Sequence, residues 1–319
     1  MRRIGCALAL LCATACTEVS SIDNPDPTSL DEIEFARMRL GHRLFFDPGL
    51  SGSGETSCAS CHEPEQFGAD GLARSLGDEG TPVFRNAPST FNAALKSRQF
   101  WDGRADTLEE QALGPLLAAD EMGGSEASIL QHVGDYDDMF ENAFPGEDGP
   151  TLEQVSVALA QYQRMLPRRS RFDAFVDGDR DALTRTERRG YRLFRRNCDF
   201  CHGGPGLGGE QIELLGDDTP WPADKRHDQG LYEVTGRDGD RMKFVVPSLR
   251  NVSKTAPYFH DGSVETLENA VRLMGRHQLG RSLSDRNVRA LVAFLKTLEA
   301  DDVQPWALPD WKGQSQRVE

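Results

Sequence analysis

The spacing of apolar residues predicts a chain built mostly from helices and loops. Ser29 can cap a first helix, since acidic residues follow it in the first turn. Ser284 can cap a last helix in the same way. The apolar stripe of the first helix is Ile33, Phe35, Leu40 and Leu44, and that of the last is Val288, Leu291, Val292, Leu295 and Leu298.

The middle of the chain divides into helical and non-helical stretches. Apolar residues recur at helical spacing near residues 107–118, 125–142 and 151–166. Residues 203–247 are rich in glycine, proline and aspartate, which predicts loops with room for a short strand pair.

Two short patterns each occur twice. Gly-x-Arg-Leu-Phe stands at residues 41–45 and 190–194, and each copy is followed by Cys-x-x-Cys-His, at residues 58–62 and 198–202. An internal repeat of this kind predicts two copies of one helical module.

Cys-x-x-Cys-His is the attachment sequence of c-type haem. Two thiols at this spacing can add to the two vinyl groups of one porphyrin, and the adjacent imidazole then reaches the iron. A zinc site or a redox dithiol would leave both histidines without a role. We therefore predict two covalently bound haem c groups, with ligands drawn from Cys58, Cys61 and His62 and from Cys198, Cys201 and His202.

The amino terminus is typical of an export signal, residues 1–16, with two arginines, an apolar run and then small residues. The segment before Cys16 fits an ordinary cleavage site and also a lipoprotein signal, which we favour. Three of the seven cysteines lie in this segment and four in the haem motifs, so none remains for a disulfide. We expect a periplasmic protein, tethered by a lipid at Cys16.

The net charge of −15 argues against nucleic acid or an anionic membrane as a partner. An acidic surface suits a basic partner such as a small cytochrome, and it also serves solubility alone.

These patterns together predict a mostly α fold with two cytochrome c-like helical haem domains in tandem, separated by long loops. Pro167 and the arginines after it mark the boundary, which gives domains at residues 17–170 and 171–319. The tail that holds Trp306 and Trp311 is expected to pack against the body.

Three further motifs surround the haem sequences: Phe-Trp-Asp-Gly-Arg at 100–104, Pro-Ser-Leu-Arg-Asn at 247–251 and Pro-Tyr-Phe-His-Asp-Gly-Ser at 257–263. From about Leu30 to about Leu298 the chain resembles the bacterial di-haem cytochrome c peroxidases and their MauG-like relatives. The resemblance implies that the first haem reduces hydrogen peroxide. It implies that the second collects electrons from a small c-type cytochrome or a cupredoxin.

The resemblance also implies roles for single residues. Trp101 would lie between the haems, and the alternative for it is an ordinary core aromatic. Met274 would be the sixth ligand of the second iron, with Met242 as its rival; in MauG itself a tyrosine takes that position. A thioether ligand raises the potential, which suits an electron acceptor.

The sequence departs from the family at the first haem. Classical members cap the resting first iron with a histidine some sixteen residues after the proximal one, and here that position is Asp78. A carboxylate is a poor substitute, so we expect a five-coordinate or water-bound first haem that needs no reductive activation. His132 is the alternative ligand, although a surface or core role is more typical of such a histidine.

The family pattern places Gln111 and Glu121 in the peroxide pocket, Glu121 as acid–base and Gln111 to orient peroxide. It also implies a calcium ion between the domains, bound by the Asn86 side chain and the carbonyls of Thr255 and Pro257. Asn86 otherwise only shapes a turn before Pro88. Family members are commonly dimers.

Three hypotheses follow. The first is a peroxidase that reduces hydrogen peroxide to water. The second is a MauG-like enzyme that oxidises residues of a partner protein, favoured by the missing distal histidine and opposed by Met274. The third is an electron-carrier cytochrome without catalysis.

Overall fold

The computed structural model describes residues 20–301. The predicted signal, Cys16 and the tail with Trp306 and Trp311 lie outside that range. Within it the helices are α1 (Glu32–Phe45), α2 (Cys58–Cys61), α3 (Leu108–Leu117), α4 (Glu126–Val133), α5 (Asp137–Ala143), α6 (Leu152–Arg164), α7 (Arg171–Val176), α8 (Arg185–Asn197), α9 (Tyr232–Thr235), α10 (Leu267–His277) and α11 (Asp285–Leu295).

The mostly α fold is confirmed. The described strands are β1 (Ile212–Leu214) and β2 (Lys243–Val245), which pair antiparallel with Ile212 opposite Val245. They form the short strand pair that was expected within residues 203–247. Ser284 caps α11 as predicted, and its side chain accepts the backbone N–H of Asn287.

The start of the first helix was predicted wrongly. Residues Pro27–Ser29 form a separate 3-10 turn, and Asp31 caps α1 in a capping box with Glu34. Asp31 accepts two backbone N–H groups, from Ile33 and Glu34, which fixes the helix start there. Ile33, assigned to the apolar face, is 39% exposed.

Each module is built on one crossing of two helices. In the first module α1 packs against α6, and in the second α8 packs against α11. At both crossings the glycine of the repeated pattern allows the helices to touch. A Cβ on Gly41 would lie 1.9 Å from the carbonyl oxygen of Ala158, and one on Gly190 would lie 1.9 Å from that of Ala290. The sequence repeat therefore encodes the same close contact twice.

Two hydrophobic cores accompany these crossings. The first extends to Leu166, and the second includes Phe172 of α7. The predicted division at residue 170 falls between them and stays a prediction. Within residues 20–301 there is no helix with the length and apolarity needed to cross a membrane.

The modules meet through side chains and backbone far apart in sequence. Arg85 forms ion pairs with Asp102 of its own module and Asp228 of the other, at 2.5 and 2.6 Å. The backbone N–H of Val245 donates to the carbonyl of Trp101, at 2.8 Å. These contacts join the two modules.

Candidate haem sites and peroxide pocket

Both Cys-x-x-Cys-His motifs present their histidine in the same way. The Nδ1 of His62 lies 3.2 Å from the carbonyl oxygen of Gly68, and the Nδ1 of His202 lies 3.2 Å from that of Leu207. A carbonyl can only accept, so each Nδ1 carries the proton and each Nε2 is left with a lone pair. This is the arrangement that orients histidine ligands at metal centres.

The electrostatics favour the neutral form of both imidazoles. Burial lowers the pKa of His202 to about 4, and burial also lowers the pKa of His62. A neutral imidazole is the form that binds iron.

A cavity of about 710 Å³ adjoins the first motif. Its wall brings together the predicted residues of the first site: Cys58, Cys61, His62, Asn86, Trp101, Gln111 and Glu121. These residues come from five separate stretches of the first module. Glu233 and Val234 of α9 complete the wall, so the second module contributes to the first site.

Among the acidic residues that line this cavity, Glu121 is the one whose pKa is raised. Burial raises the pKa of Glu121, and the charge of Arg104 opposes the rise. The residue lies in a tight turn after α3, where its N–H donates to the carbonyl of Ala118. Gln111 lies on α3 itself, half-buried, and lines the same cavity.

Trp101 lies at the junction of the modules. Its indole Nε1–H donates to the backbone carbonyl of Asn86, at 2.9 Å. Its ring meets the imidazole of His260 edge-on, with centroids 6.4 Å apart, and that imidazole stacks on Phe244 at 4.3 Å. An aromatic path therefore leads from the first cavity into the second module.

The two candidate methionine ligands differ in their surroundings. Met242 is 6% exposed and belongs to an apolar cluster with Trp221 and Phe244. Met274 is half-buried on α10, which packs against α11.

Asp78 is not among the residues that line the first cavity. Its carboxylate accepts the N–H and the hydroxyl of Ser53, at 2.7 and 2.6 Å. The bond from the Ser53 hydroxyl lowers the pKa of Asp78. The backbone N–H of Asp78 donates to the carbonyl of Glu121 at 2.7 Å. Asp78 thus braces the loop that carries Glu121.

His132 is also occupied elsewhere. Its Nε2 lies 2.9 Å from a carboxylate oxygen of Asp47, which accepts the Tyr136 hydroxyl as well, at 2.5 Å. This places His132 in a polar cluster on the outside of the first core.

The three residues predicted for calcium come from two stretches that meet. The N–H of Asn86 donates to the carbonyl of His260 at 2.9 Å, three residues beyond Pro257. The Asn86 amide nitrogen donates to Leu72, also at 2.9 Å. Over residues 20–301 no three His, Cys, Asp or Glu side chains group as a metal site, so a calcium ion here would take neutral oxygens.

Arg85 and Lys96 line the first cavity, and His260 lies at the module junction. No role for these three residues was predicted from the sequence. His260 lies in one of the quoted motifs, so its position was signalled. Nothing local signals the partner of Arg85, which lies 143 residues away.

The protein's polar groups fit a porphyrin. Tyr162, Trp221 and His260 are buried, yet the Tyr162 hydroxyl, Trp221 Nε1 and His260 Nε2 have no hydrogen-bond partner in the part of the chain that is described. Buried polar groups are normally paired. The oriented histidines, the paired cysteines and the open cavity beside the first motif suit a covalently bound porphyrin.

Comparison with known proteins agrees with this site. A family model described as di-haem cytochrome c peroxidase matches residues 35–181, and one described as cytochrome c oxidase, cbb3-type, subunit III matches residues 185–295. The cytochrome c551 peroxidase of Nitrosomonas europaea is 41% identical over 278 residues, which is 86% of this chain and 81% of that protein.

MauG-like proteins are also similar. The methylamine utilization protein MauG of Methylorubrum extorquens is 35% identical over 83% of this chain and 78% of its own length. The crystal structure of a MauG-like protein associated with microbial copper homeostasis superposes with a TM-score of 0.75 at 31% identity, covering 91% of this chain and 95% of that one. Residues, geometry and relatives agree, and the chain belongs to the di-haem cytochrome c peroxidase family, with two haem c groups as its cofactors.

Proposed function

We propose that this protein reduces hydrogen peroxide to two waters in the first module, with two protons from solvent and with two electrons that enter through the second module. The observation that carries the proposal is the single cavity that unites Cys58, Cys61 and His62 with Gln111, Glu121 and Trp101. When bound, the haems supply the iron at which the O–O bond breaks and the store of electrons.

Glu121 is the proton carrier in this proposal. Reduction needs a proton taken from the oxygen nearer the iron and delivered to the departing oxygen. Burial raises the pKa of Glu121 toward the pH of the reaction, which suits a group that must both accept and donate. Gln111 orients peroxide, because its amide donates and accepts without titrating.

Trp101 links the two modules electronically. Its hydrogen bond to Asn86 fixes the ring, and its contact with His260 continues toward the second module. We assign His202 and Met274 to the second iron. Met242 is less suited, because its side chain is packed in an apolar cluster with Trp221 and Phe244.

The first haem, when bound, would have no protein ligand on its distal side at rest. Asp78 is bound to Ser53, and His132 is bound to Asp47, so both candidate replacements for the usual distal histidine have other partners. The enzyme then reacts with peroxide without prior reduction.

A calcium ion between the modules, bound through Asn86, Thr255 and Pro257, would stiffen the junction that carries Trp101. The electron donor is a small c-type cytochrome or a cupredoxin, and a basic one would complement the net charge of −15. We place the protein in the periplasm, with a lipid anchor at Cys16 and a homodimer as its assembly.

MauG-like oxidation of a partner protein is the second candidate. Asp78 and His132 favour this candidate, because each binds another residue and so leaves the first site open. Met274 opposes it. Steady-state kinetics with peroxide and a reduced small cytochrome c separate the two. Rapid oxidation of the cytochrome supports the peroxidase. A slow rate, together with a lasting spectral change after peroxide alone, supports the alternative, and no response to peroxide rejects both.

A further inference from the structure

Lys96 is an unusual residue of the first cavity. It is the one lysine between residues 17 and 170, while the other five all lie beyond residue 220. Three cationic side chains line the cavity: Arg85, Lys96 and Arg104. The two arginines are paired with carboxylates, Arg85 with Asp102 and Asp228, and Arg104 with Asp102.

The Lys96 ammonium has no such partner among residues 20–301. Its backbone is bonded on both sides, to Ala93 and to the side chain of Gln99, but no described carboxylate or carbonyl binds the side-chain nitrogen. Burial lowers the pKa of Lys96 to about 8. The Lys96 side chain is half-buried at the wall of the cavity. An ammonium there without a counter-charge is unfavourable, so this cation calls for an anion that the described residues do not supply.

The position of Lys96 is held by the second module. The N–H of the next residue, Ser97, donates to the carbonyl of Gly209 at 3.0 Å, and a Cβ on Gly209 would lie 2.5 Å from the Cγ of Lys96. Gly209 follows the second haem motif by seven residues. The lysine stem is therefore clamped at the junction while its head faces the first cavity.

A haem brings the missing anion. The cysteines bind the vinyl edge of the porphyrin, so its two propionates occupy the opposite edge. We propose that Lys96 binds a propionate of the haem in the first module and thereby raises the reduction potential of that haem. The sign follows from charge, because ferric haem carries one more positive charge than ferrous haem and an adjacent ammonium disfavours it. The proposal needs haem in the first module but does not need peroxidase activity.

The test is a redox titration of purified holoprotein without peroxide, followed by electron paramagnetic resonance to separate the two ferric irons. Lys96→Met is expected to lower the potential of the first haem and leave that of the second unchanged. Lys96→Arg keeps the charge and is expected to retain the wild-type potential. Lys296→Met, at an exposed lysine after α11, is the matched control and should change neither haem.

A Lys96→Met protein that holds two haems and keeps the wild-type potential of the first would overturn the proposal. If Lys96→Met loses its haem, the test is a comparison of the first-haem potentials of the wild type and Lys96→Arg at several pH values. A propionate-bound ammonium stays protonated, so their first-haem potentials should agree from pH 7 to about 9.5. A free amine would lose its charge near pH 8, and a wild-type potential that falls below that of Lys96→Arg would refute the pairing.

Discussion

Trp101 donates its indole N–H to the backbone carbonyl of Asn86 over 2.9 Å. One residue before Asn86, Arg85 reaches across the junction to Asp228. The proposed electron relay is therefore fixed by the same short stretch that joins the modules. A change in module contact would move the relay, which connects the architecture to the proposed chemistry.

Trp101→Phe tests the relay. A smaller aromatic ring replaces the indole, the hydrogen bond is lost and the Asn86 carbonyl is left unpaired, which costs about 1–3 kcal/mol of folding stability. We expect two haems per chain, an unchanged first encounter with peroxide and slower electron transfer between the modules. Rapid-mixing spectroscopy of the prereduced protein measures this transfer, and a wild-type rate would exclude Trp101 as the relay.

Glu121→Gln tests the proton carrier. The amide has nearly the same shape but cannot titrate, so turnover with peroxide is expected to fall about 10²–10⁴-fold at unchanged haem content. Asp120→Asn is the control, because Asp120 is its neighbour and lines the same cavity. Equal losses in both variants would point to local charge rather than proton transfer.

The pH dependence of kcat/KM follows from the same residue. The pKa of Glu121 is raised by burial, and the base must be ionised to take the first proton. Activity is therefore expected to fall as the pH drops through a pKa above 4.5, the ordinary value for this group. An acid limb that persists unchanged in Glu121→Gln would belong to another residue.

Asp228→Asn tests the junction. The substitution leaves the Arg85 guanidinium with Asp102 as its remaining charged partner. We expect the free energy of unfolding to fall by about 3–5 kcal/mol. Asp285→Asn is the control, since the Arg272–Asp285 pair is exposed and such pairs contribute at most about 1 kcal/mol. Denaturant unfolding measures the loss of stability in each variant. If Asp228→Asn loses as little as Asp285→Asn, the junction does not depend on the Arg85–Asp228 pair.

The acid stability of the wild type provides a second measure of the junction. Burial raises the pKa of Asp228, and the bonds from Arg85 outweigh burial, so the net pKa is lowered. This contribution is present above the unfolded carboxyl pKa of about 3.9 and is lost as the pH falls through the lower folded value. The loss should be smaller in Asp228→Asn.

Gly41→Ala tests the helix crossing in the first module. The added methyl would collide with the carbonyl of Ala158. We expect this overpacking to lower the free energy of unfolding by at least about 1–3 kcal/mol. Gly134→Ala is the control, because no atom lies within 4 Å of its Cβ position and its φ of −56° suits alanine. Thermal unfolding that ranks the two variants equally would contradict the crossing.

The sequence predicted what local patterns encode. The repeated Gly-x-Arg-Leu-Phe and Cys-x-x-Cys-His sequences indicated two haem modules, and the glycines prove to be where the helices touch. The final helix was predicted with its cap. The first was not, because Ser29 and Asp31 are both good caps and Pro27 draws Ser29 into a separate turn.

The junction could not be predicted in the same way. Arg85 and Asp228 are far apart in sequence, and nothing around either residue marks the pair. The position of Lys96 could not be predicted from the sequence either, because only the structure shows that its ammonium lies at the cavity without a partner. Asp78 was singled out by comparison with the family, but its bond to Ser53 required the structure.

The most direct test of the central claim is the spectrum of the all-ferric holoprotein, followed by peroxide addition without any reductant. We expect a high-spin component from one open haem and an immediate change in its bands on mixing. A purely low-spin spectrum, with bands that peroxide alters only after prior reduction, would contradict it.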